Sequence, residues 1–214
     1  APFLAQLIAS HRDLPEQRVA KDGGIAVPLH FEPEQAMFVV VREKRQKPSA
    51  GSQKAEKNFP AAKTLMEIGG AWEVAFDAPW VKPLPPSATP SSKQVTVTFD
   101  KLSDWTKRPE EGIKSYSGVA RYRKSFDLPP AANGTSGLAS GLCLDLGVVK
   151  EMARVELNGR DLGVAWCPPW QMKIPQGVLK ERGNELVITV ANTWNNRMCA
   201  DNGLPAKERI TRVG

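Results

Sequence analysis

The sequence predicts an antiparallel all-β fold, and three patterns carry this prediction. Apolar runs at 142–146 and 153–157 are typical of strands, and the second run ends at the turn Asn158-Gly159. Both central residues of a tight hairpin turn of this kind need positive φ, so Asn-Gly between apolar runs is a strong hairpin signal. Residues 95–99 alternate between apolar and polar side chains, as a strand with one solvated face does.

Residues 1–62 are predicted to be the end of a preceding β unit followed by a basic linker. Short apolar runs at 27–29 and 37–41 indicate a strand pair, and two strands alone are marginally stable in water. We therefore expect this N-terminal pair to come from a second, incomplete β unit. Lys and Arg concentrate between Arg42 and Lys63 beside Pro, Ser and Gly with few aromatics. That composition favours a solvated linker over a nucleic-acid platform.

Residues 63–214 are predicted to form the main domain. Strands are expected at 121–128, where apolar and polar residues alternate, and at 185–191. Residues 63–68 are expected to form a short turn that leads into the domain. The apolar spacing of residues 2–10 is compatible with either a short helix or an extended segment.

The composition of the 214 residues is ordinary for a soluble globular protein, with 41% hydrophobic and 24% charged residues. A net charge of +6 permits contact with anionic surfaces without requiring it. The first residues hold neither a charged n-region nor a long apolar segment, so no signal peptide or membrane anchor is visible, although processing would have removed either. We expect no nucleic-acid partner and no membrane partner.

The cysteines indicate neither a disulfide framework nor a metal site. There are three of them, Cys143, Cys167 and Cys199, without the close spacing of zinc ligands. Cys143 alternates with apolar neighbours and is expected in the core, whereas Cys167 and Cys199 could form at most one bridge. No metal ligands and no cofactor are assigned, and no motif supports a structural calcium ion.

Tryptophans gather in the loops of the predicted β unit. Trp166 and Trp170 flank the segment Cys167-Pro168-Pro169, and Trp194 follows the strand at 185–191. The two prolines stiffen their loop by fixing two φ angles, and loops on a rigid scaffold often carry binding function. An exposed indole there suits a sugar face or a partner domain, and a buried one belongs to the core. The sequence leaves both alternatives open.

Several strings of the sequence resemble a family of carbohydrate-active enzymes. Residues 144–147 and 155–163 resemble the galactose-binding-like jelly roll called the sugar-binding domain in family 2 glycoside hydrolases. Residues 116–126, 166–170 and 192–197 are similar to the C-terminal part of family 106 glycoside hydrolases, the α-L-rhamnosidases.

Upstream segments extend the resemblance. Residues 27–29, 38–42 and 69–77 are similar to the preceding sandwich end and the jelly-roll entry of that family, so the resemblance covers about residues 27 to 201. One string departs from the family pattern, because residues 197–201 read Arg-Met-Cys-Ala-Asp in place of the more usual Arg-Leu-Ile-Gly-Asp.

The resemblance implies an antiparallel jelly-roll β-sandwich over residues 63–214, with the N-terminal strands outside it. It implies a non-catalytic C-terminal β-sandwich of an α-L-rhamnosidase-like glycoside hydrolase, secreted or periplasmic, that braces the catalytic domain of the same polypeptide. In that family the acid and base belong to a catalytic barrel, which does not fit in 214 residues. Whether the chain is itself an enzyme is left open.

The carboxylates of the sequence do not form a recognisable catalytic pair. Glycoside hydrolysis needs two carboxyl groups about 5 to 10 Å apart, and sequence spacing pairs none of the candidates. No catalytic residue is assigned. The candidate acids are Asp104, Glu110, Glu111, Asp145, Glu156, Asp161 and Asp201.

The tryptophan loops and the segment after Trp194 are the candidate carbohydrate-contacting site. The indoles would offer stacking faces, and the residues after Trp194 would offer polar groups. A sugar site requires an exposed indole in a concave surface with convergent polar groups, whereas a purely structural domain requires buried indoles and internal pairing of the charged residues. The two alternatives to a bracing accessory sandwich are an independent carbohydrate-binding module and a structural protein-interaction domain without sugar binding. The candidate residues are Trp166, Trp170, Trp194, Asn195, Asn196, Arg197 and Asp201.

Overall fold

The computed structural model of the protein describes most of the chain from residue 63 onward and short segments before it. For residues 3–9 the backbone alone is described. The described residues are 3–9, 18–19, 25–29, 31, 63–91, 93–129 and 142–211.

In these residues thirteen strands and two short helices are described. The strands are β1 (Phe3–Ala9), β2 (Arg18–Val19), β3 (Ile25–Ala26), β4 (Lys63–Glu67), β5 (Trp72–Asp77), β6 (Thr89–Pro90), β7 (Gln94–Phe99), β8 (Val119–Phe126), β9 (Leu142–Gly147), β10 (Met152–Leu157), β11 (Arg160–Ala165), β12 (Gln171–Lys173) and β13 (Asn184–Ala191). The helices are α1 (Glu111–Lys114) and α2 (Asn195–Asn202), and 3₁₀ turns lie at Ala78–Trp80, Trp105–Lys107 and Ala206–Glu208.

The strands form two main sheets. One has seven strands in the order β11-β10-β13-β8-β5-β7-β6, and the other has four strands in the order β12-β9-β1-β4. Every described strand pair is antiparallel. The prediction of an antiparallel all-β fold is confirmed, and the jelly-roll connectivity in particular stays a prediction.

The buried apolar residues in the described part of the chain form one core between the two sheets. Along β13, Leu186, Ile188 and Val190 are buried while the residues between them are not, as the period of two in a strand requires. Leu144 and Leu146 of β9 belong to the same buried cluster as these residues. Both sheets therefore turn one face toward a common interior, which defines a β-sandwich.

Aromatic residues fill one part of this core. Phe76 lies 4.9 Å from Tyr116 and 5.6 Å from Trp105 between ring centroids, both in edge-to-face geometry. The Tyr116 hydroxyl donates to the carbonyl of Val119 at 2.7 Å and accepts from the amide of Asp77 at 3.2 Å. Burial raises the pKa of Tyr116 to about 12. The phenol therefore stays neutral and ties the end of β5 to the start of β8.

The hairpin turn at Asn158-Gly159 has the predicted conformation. The φ angles are +52° and +76°, so both residues lie in the left-handed region that the turn requires. The Asn158 amide also donates to the carbonyl of Val178 at 2.7 Å and accepts from the amide of Glu185 at 2.9 Å. The turn thus joins β10 to β11 and also anchors the start of β13.

The N-terminal region differs from the expectation. Residues 3–9, whose sequence is compatible with a short helix or an extended segment, form β1, which pairs with β9 and β4 inside the four-stranded sheet. Residues 63–67, expected to be part of a turn, form β4. The extended backbone of β1 supplies hydrogen bonds to both neighbours, and pairing of this kind depends on segments far away in sequence.

The strand predicted at residues 27–29 is not observed, and a different pair is described nearby. Arg18–Val19 pairs with Ile25–Ala26, and residues 27–29 contain no strand. Residues 37–41 and the basic linker lie outside the described residues. The division of the chain at residue 62 stays a prediction.

Candidate functional site

Several strands of the seven-stranded sheet begin or terminate at the same end of that sheet. Met152 pairs with Ala191, which pairs in turn with Val119, so β13 ends where β10 and β8 begin. Ala153 pairs with Ala165, so β11 terminates at this end as well. The register of β5 with β8 places the end of β5 there too.

Three exposed tryptophans, Trp80, Trp166 and Trp194, follow strands that terminate at this end of the sheet. We call this end the tryptophan end. Trp166 comes directly after β11 and is 72% exposed, and Trp194 comes after β13 and is 51% exposed. Trp80 follows β5 and is 37% exposed. The rings of Trp80 and Trp194 pack edge to face with centroids 5.3 Å apart. The tryptophan end therefore presents aromatic surface to its surroundings.

Trp80 was missed by the sequence analysis. It lies in a proline-rich stretch, which hides the fact that it follows the end of a core strand by three residues. The large apolar residues Trp72, Val74 and Phe76 at every second position of β5 are the signal that could have placed it near a strand end.

Trp170 lies in a different environment from Trp166, although both belong to one loop. Its side chain is partly buried and packs against the apolar core. Its carbonyl accepts a hydrogen bond from the amide of Leu146 at 2.8 Å, which joins the loop to β9. The structure therefore places Trp170 with the sandwich and Trp166 at the surface.

Helix α2 holds a buried ion pair. Arg197 and Asp201 are one helical turn apart, and their side chains are 5% and 3% exposed. Arg197 donates to Oδ1 of Asp201 from Nε at 3.0 Å and approaches the same oxygen with Nη2 at 2.7 Å. The Arg197 backbone amide donates to Oγ of Ser117 at 3.0 Å, and its Nη1 donates to Oγ of Ser115 at 3.3 Å.

The second carboxylate oxygen of Asp201 also accepts hydrogen bonds. Oδ2 accepts from both the backbone amide and the hydroxyl of Thr211, each at 2.6 Å. Burial opposes ionisation of this carboxyl, but the hydrogen bonds from Thr211 and Arg197 outweigh it and lower the pKa of Asp201 to about 2. The pair, with Ser115, Ser117 and Thr211, joins α2 to two other segments, and we call these five residues the latch.

The asparagines near α2 have separate partners. Asn196 donates to the carbonyl of Tyr116 at 3.4 Å, and Asn195 is exposed and accepts from Sγ of Cys199 at 3.7 Å. Asn192, which the sequence analysis did not single out, accepts from the amide of Gly118 at 2.8 Å and donates to the carbonyl of Tyr116 at 3.0 Å. Most of the predicted polar groups therefore serve internal bonds.

The candidate acids are spread over the domain. Asp104 accepts from the amide of Thr106 at 2.9 Å and caps a 3₁₀ turn. Asp161 accepts from Arg154 at 2.7 Å, and this hydrogen bond lowers the pKa of the Asp161 carboxyl. These carboxylates serve turns and ion pairs.

Metal and membrane features are limited in the described part of the chain. No group of three or more His, Cys, Asp or Glu residues there could hold a metal ion. None of the three cysteines is in a disulfide, and Cys143 is buried whereas Cys199 is exposed. None of the described helices is both long and apolar enough to cross a bilayer.

Comparison with known proteins links this sandwich to carbohydrate-active enzymes. No protein-family model matches the chain. A protein of Formosa agariphila named "Putative beta-glucuronidase" is 34% identical over 138 residues, which are 64% of this chain and 11% of that protein.

Solved structures give a similar result. The rhamnosidase from Novosphingobium sp. PP1Y aligns with 99% of this chain at a TM-score of 0.60 and 26% identity, over 18% of its own length. A beta-glucuronidase of an uncultured Clostridium sp. aligns with 58% of this chain and 21% of its own at a TM-score of 0.40 and 18% identity, too slight a likeness to support an argument. The chain is therefore a glycoside hydrolase-related β-sandwich that spans between a tenth and a fifth of the length of the first two proteins.

Proposed function

We propose that the chain is a non-catalytic accessory β-sandwich of a glycoside hydrolase of the α-L-rhamnosidase type, which braces the catalytic domain of the same polypeptide. The observation that carries this proposal is that 99% of the chain aligns with only 18% of a rhamnosidase. The finer assignment, to the galactose-binding-like jelly roll of family 106 enzymes in a secreted or periplasmic protein, rests on the sequence strings that resemble that family.

The latch supports a structural role. Two of the predicted binding residues, Arg197 and Asp201, are buried and paired with each other. A buried charge that has an internal partner and hydrogen bonds at its remaining atoms is stabilised where it is and is not free for a ligand. Internal pairing is what a bracing domain requires at this position.

The chemistry of the carboxylates supports a non-catalytic role. A general acid in a glycosidase needs a raised pKa so that it is protonated at neutral pH. Hydrogen bonds lower the pKa of Asp161 and of Asp201, so both groups are held as carboxylates. These two candidates are suited to ion pairing and unsuited to proton donation.

A carbohydrate-binding module is the second candidate, and the exposure of Trp166 favours it. An indole that is 72% exposed on a loop containing two prolines is available to stack on a sugar ring. The polar groups predicted to converge with it lie on α2 and serve internal bonds. We therefore place this function second.

The test compares activity and ligand binding in the purified chain. Aryl α-L-rhamnoside and aryl β-D-glucuronide should not be hydrolysed, and the melting temperature should not change with L-rhamnose or galactose. Hydrolysis that Glu156→Gln or Asp161→Asn abolishes would overturn the non-catalytic proposal. A ligand-dependent rise in melting temperature that Trp166→Ala removes would favour the carbohydrate-binding module instead.

A further inference from the structure

The exposed large apolar residues are concentrated at the tryptophan end. Ten such residues occur in the described ranges, and seven of them lie at or next to this end of the seven-stranded sheet. Scattered exposed apolar residues are normal on a soluble protein, but a contiguous patch marks an interaction surface. The concentration therefore needs a physical explanation.

The strand register makes part of this set contiguous. Met152 and Arg154 point away from the core, because Ala153 between them is buried. Val164 lies opposite Arg154, and Ala191 lies opposite Met152. The outer face at this end therefore carries apolar residues on the adjacent strands β11, β10 and β13.

The apolar row continues onto a fourth strand. Val119 of β8 pairs with Ala191 and is 42% exposed. With neighbouring strands about 4.8 Å apart, the row from Val164 through Met152 and Ala191 to Val119 crosses roughly 14 Å of sheet.

The indoles extend this row beyond the strand ends. Trp166 follows Val164 by two residues, and Trp194 follows Ala191 by three. The amide of Met198 donates to the carbonyl of Trp194 at 3.0 Å, so this exposed methionine lies one helical turn away on the same side of α2. The row and the indoles therefore lie at the same end of the seven-stranded sheet.

The size and shape of this surface fit a protein partner. The three exposed indoles present on the order of 400 Å², taking roughly 250 Å² for a whole tryptophan. A stable interface buries about 800 Å² on each partner, so the indoles with the valine and methionine row supply much of that area. Two clefts of about 330 and 300 Å³ are described, and no tryptophan lines either of them. A small ligand would need a concave site around the indoles.

Polar groups border the apolar row, as they do in protein interfaces. Arg121 and Arg154 lie on the outer face, two residues after Val119 and Met152 along their strands. Both line the larger cleft. Nη2 of Arg121 is 3.7 Å from a carboxylate oxygen of Glu156, and Nε of Arg121 is buried and makes no hydrogen bond within the described residues. The Arg121 side chain is 41% exposed, so a carbonyl or carboxylate of a partner at this border would bond the exposed part of the guanidinium and not the buried Nε.

We propose that the tryptophan end docks a second domain of the same polypeptide, through an apolar patch on that domain bordered by hydrogen-bond acceptors. The inference rests on the proposed function. Segments similar to this chain make up 18% and 11% of the two longer proteins, which therefore contain further domains for such a surface to contact. The tryptophan end is the face of the sandwich that carries the bracing contact.

Hydrogen exchange tests this in the natural full-length polypeptide against the 214-residue chain. The amides near 119, 152, 164–166 and 194–198 should exchange at least about tenfold more slowly in the longer polypeptide. Val119→Glu should remove this protection. Ser125→Glu, on the same strand and the same outer face but at the far end, should leave it intact. Met152→Lys is a second variant, and circular dichroism checks that each variant folds.

Each alternative outcome is distinct. Equal exchange in the two polypeptides, or a natural gene that encodes no further domain, overturns the proposal. Protection that grows with the concentration of the isolated chain assigns the surface to a second copy, and protection by a rhamnose-containing oligosaccharide assigns it to sugar; either result overturns docking. If exchange is equal while only the longer polypeptide hydrolyses aryl rhamnoside, docking fails and the accessory function stands.

Discussion

The latch and the tryptophan end share helix α2, but they use its residues in opposite ways. Arg197 and Asp201 point inward and are almost completely buried, whereas Trp194 and Met198 are about half exposed. The sequence places all four residues within eight positions, and a single binding motif is the natural interpretation of such a string. The comparison shows that a short motif can divide into one set of residues that holds the fold and another that forms the surface.

Breaking the latch should have the largest effect on stability. Asp201→Ala leaves the Arg197 guanidinium buried without its partner, and breaking such a pair costs roughly 3 to 5 kcal/mol. Urea unfolding of the variant and of the unchanged protein measures the loss. The matched control is Asp161→Ala, which removes the exposed pair with Arg154 and should cost far less, because water screens an exposed ion pair. Similar losses in the two variants would contradict the assignment of the latch.

Acid should weaken the latch in a defined window. The pKa of Asp201 is lowered in the folded protein from its ordinary 3.8 to about 2. This group therefore contributes stability that is fully present above about pH 4 and is lost as the pH falls toward 2, by about 2 kcal/mol. Unfolding free energies measured between pH 5 and 2 should show this decline in the unchanged protein. Asp201→Asn should lack that part of the pH dependence, and a parallel decline in it would refute the assignment.

Trp166 and Trp170 belong to one loop, but Trp170 packs against the core and Trp166 is exposed. Trp170→Ala should lower the unfolding free energy by about 2 kcal/mol, less than the 3 to 5 of a fully buried aromatic because the indole is only partly buried. Trp166→Ala should change it by less than about 0.5 kcal/mol. Thermal and urea unfolding of both variants provides the comparison. Equal losses would remove the distinction between the two indoles.

The contact between Trp80 and Trp194 separates these two exposed indoles from Trp166. Trp194→Ala removes an edge-to-face contact with Trp80, and such a pair contributes about 0.5 to 1.5 kcal/mol. Trp194→Phe keeps an aromatic ring and should recover part of the loss. The double variant with Trp80→Ala should cost less than the two single changes added together. Additive losses would show that the rings do not stabilise each other.

Local chemistry allowed part of this fold to be predicted. The Asn158-Gly159 turn follows from the positive φ that its conformation requires, and the strand at 94–99 follows from alternation. The pairing of β1 with β9 could not be predicted in this way, because register between segments more than 130 residues apart depends on the assembled sandwich. Propensity and alternation describe single elements, and neither specifies non-local partners.

The candidate site was predictable to a smaller degree. Sequence analysis selected the tryptophans correctly as aromatic loop residues, but their exposure depends on which strand ends come together. Arg197 and Asp201 are four residues apart, which is a helical ion-pair spacing that could have indicated the latch if residues 195–202 had been recognised as a helix. The low apolar content of that segment concealed the helix.

Gly118 shows how little sequence variation one position of this sandwich can accept. Its amide and carbonyl both bond Asn192, its φ is +147°, and a Cβ added there would lie 2.9 Å from the Tyr116 hydroxyl. Any other residue would therefore be strained in its backbone and would displace the phenol that links β5 to β8. In a library of random variants, position 118 should retain glycine almost alone, while exposed Val119 beside it should accept many apolar replacements.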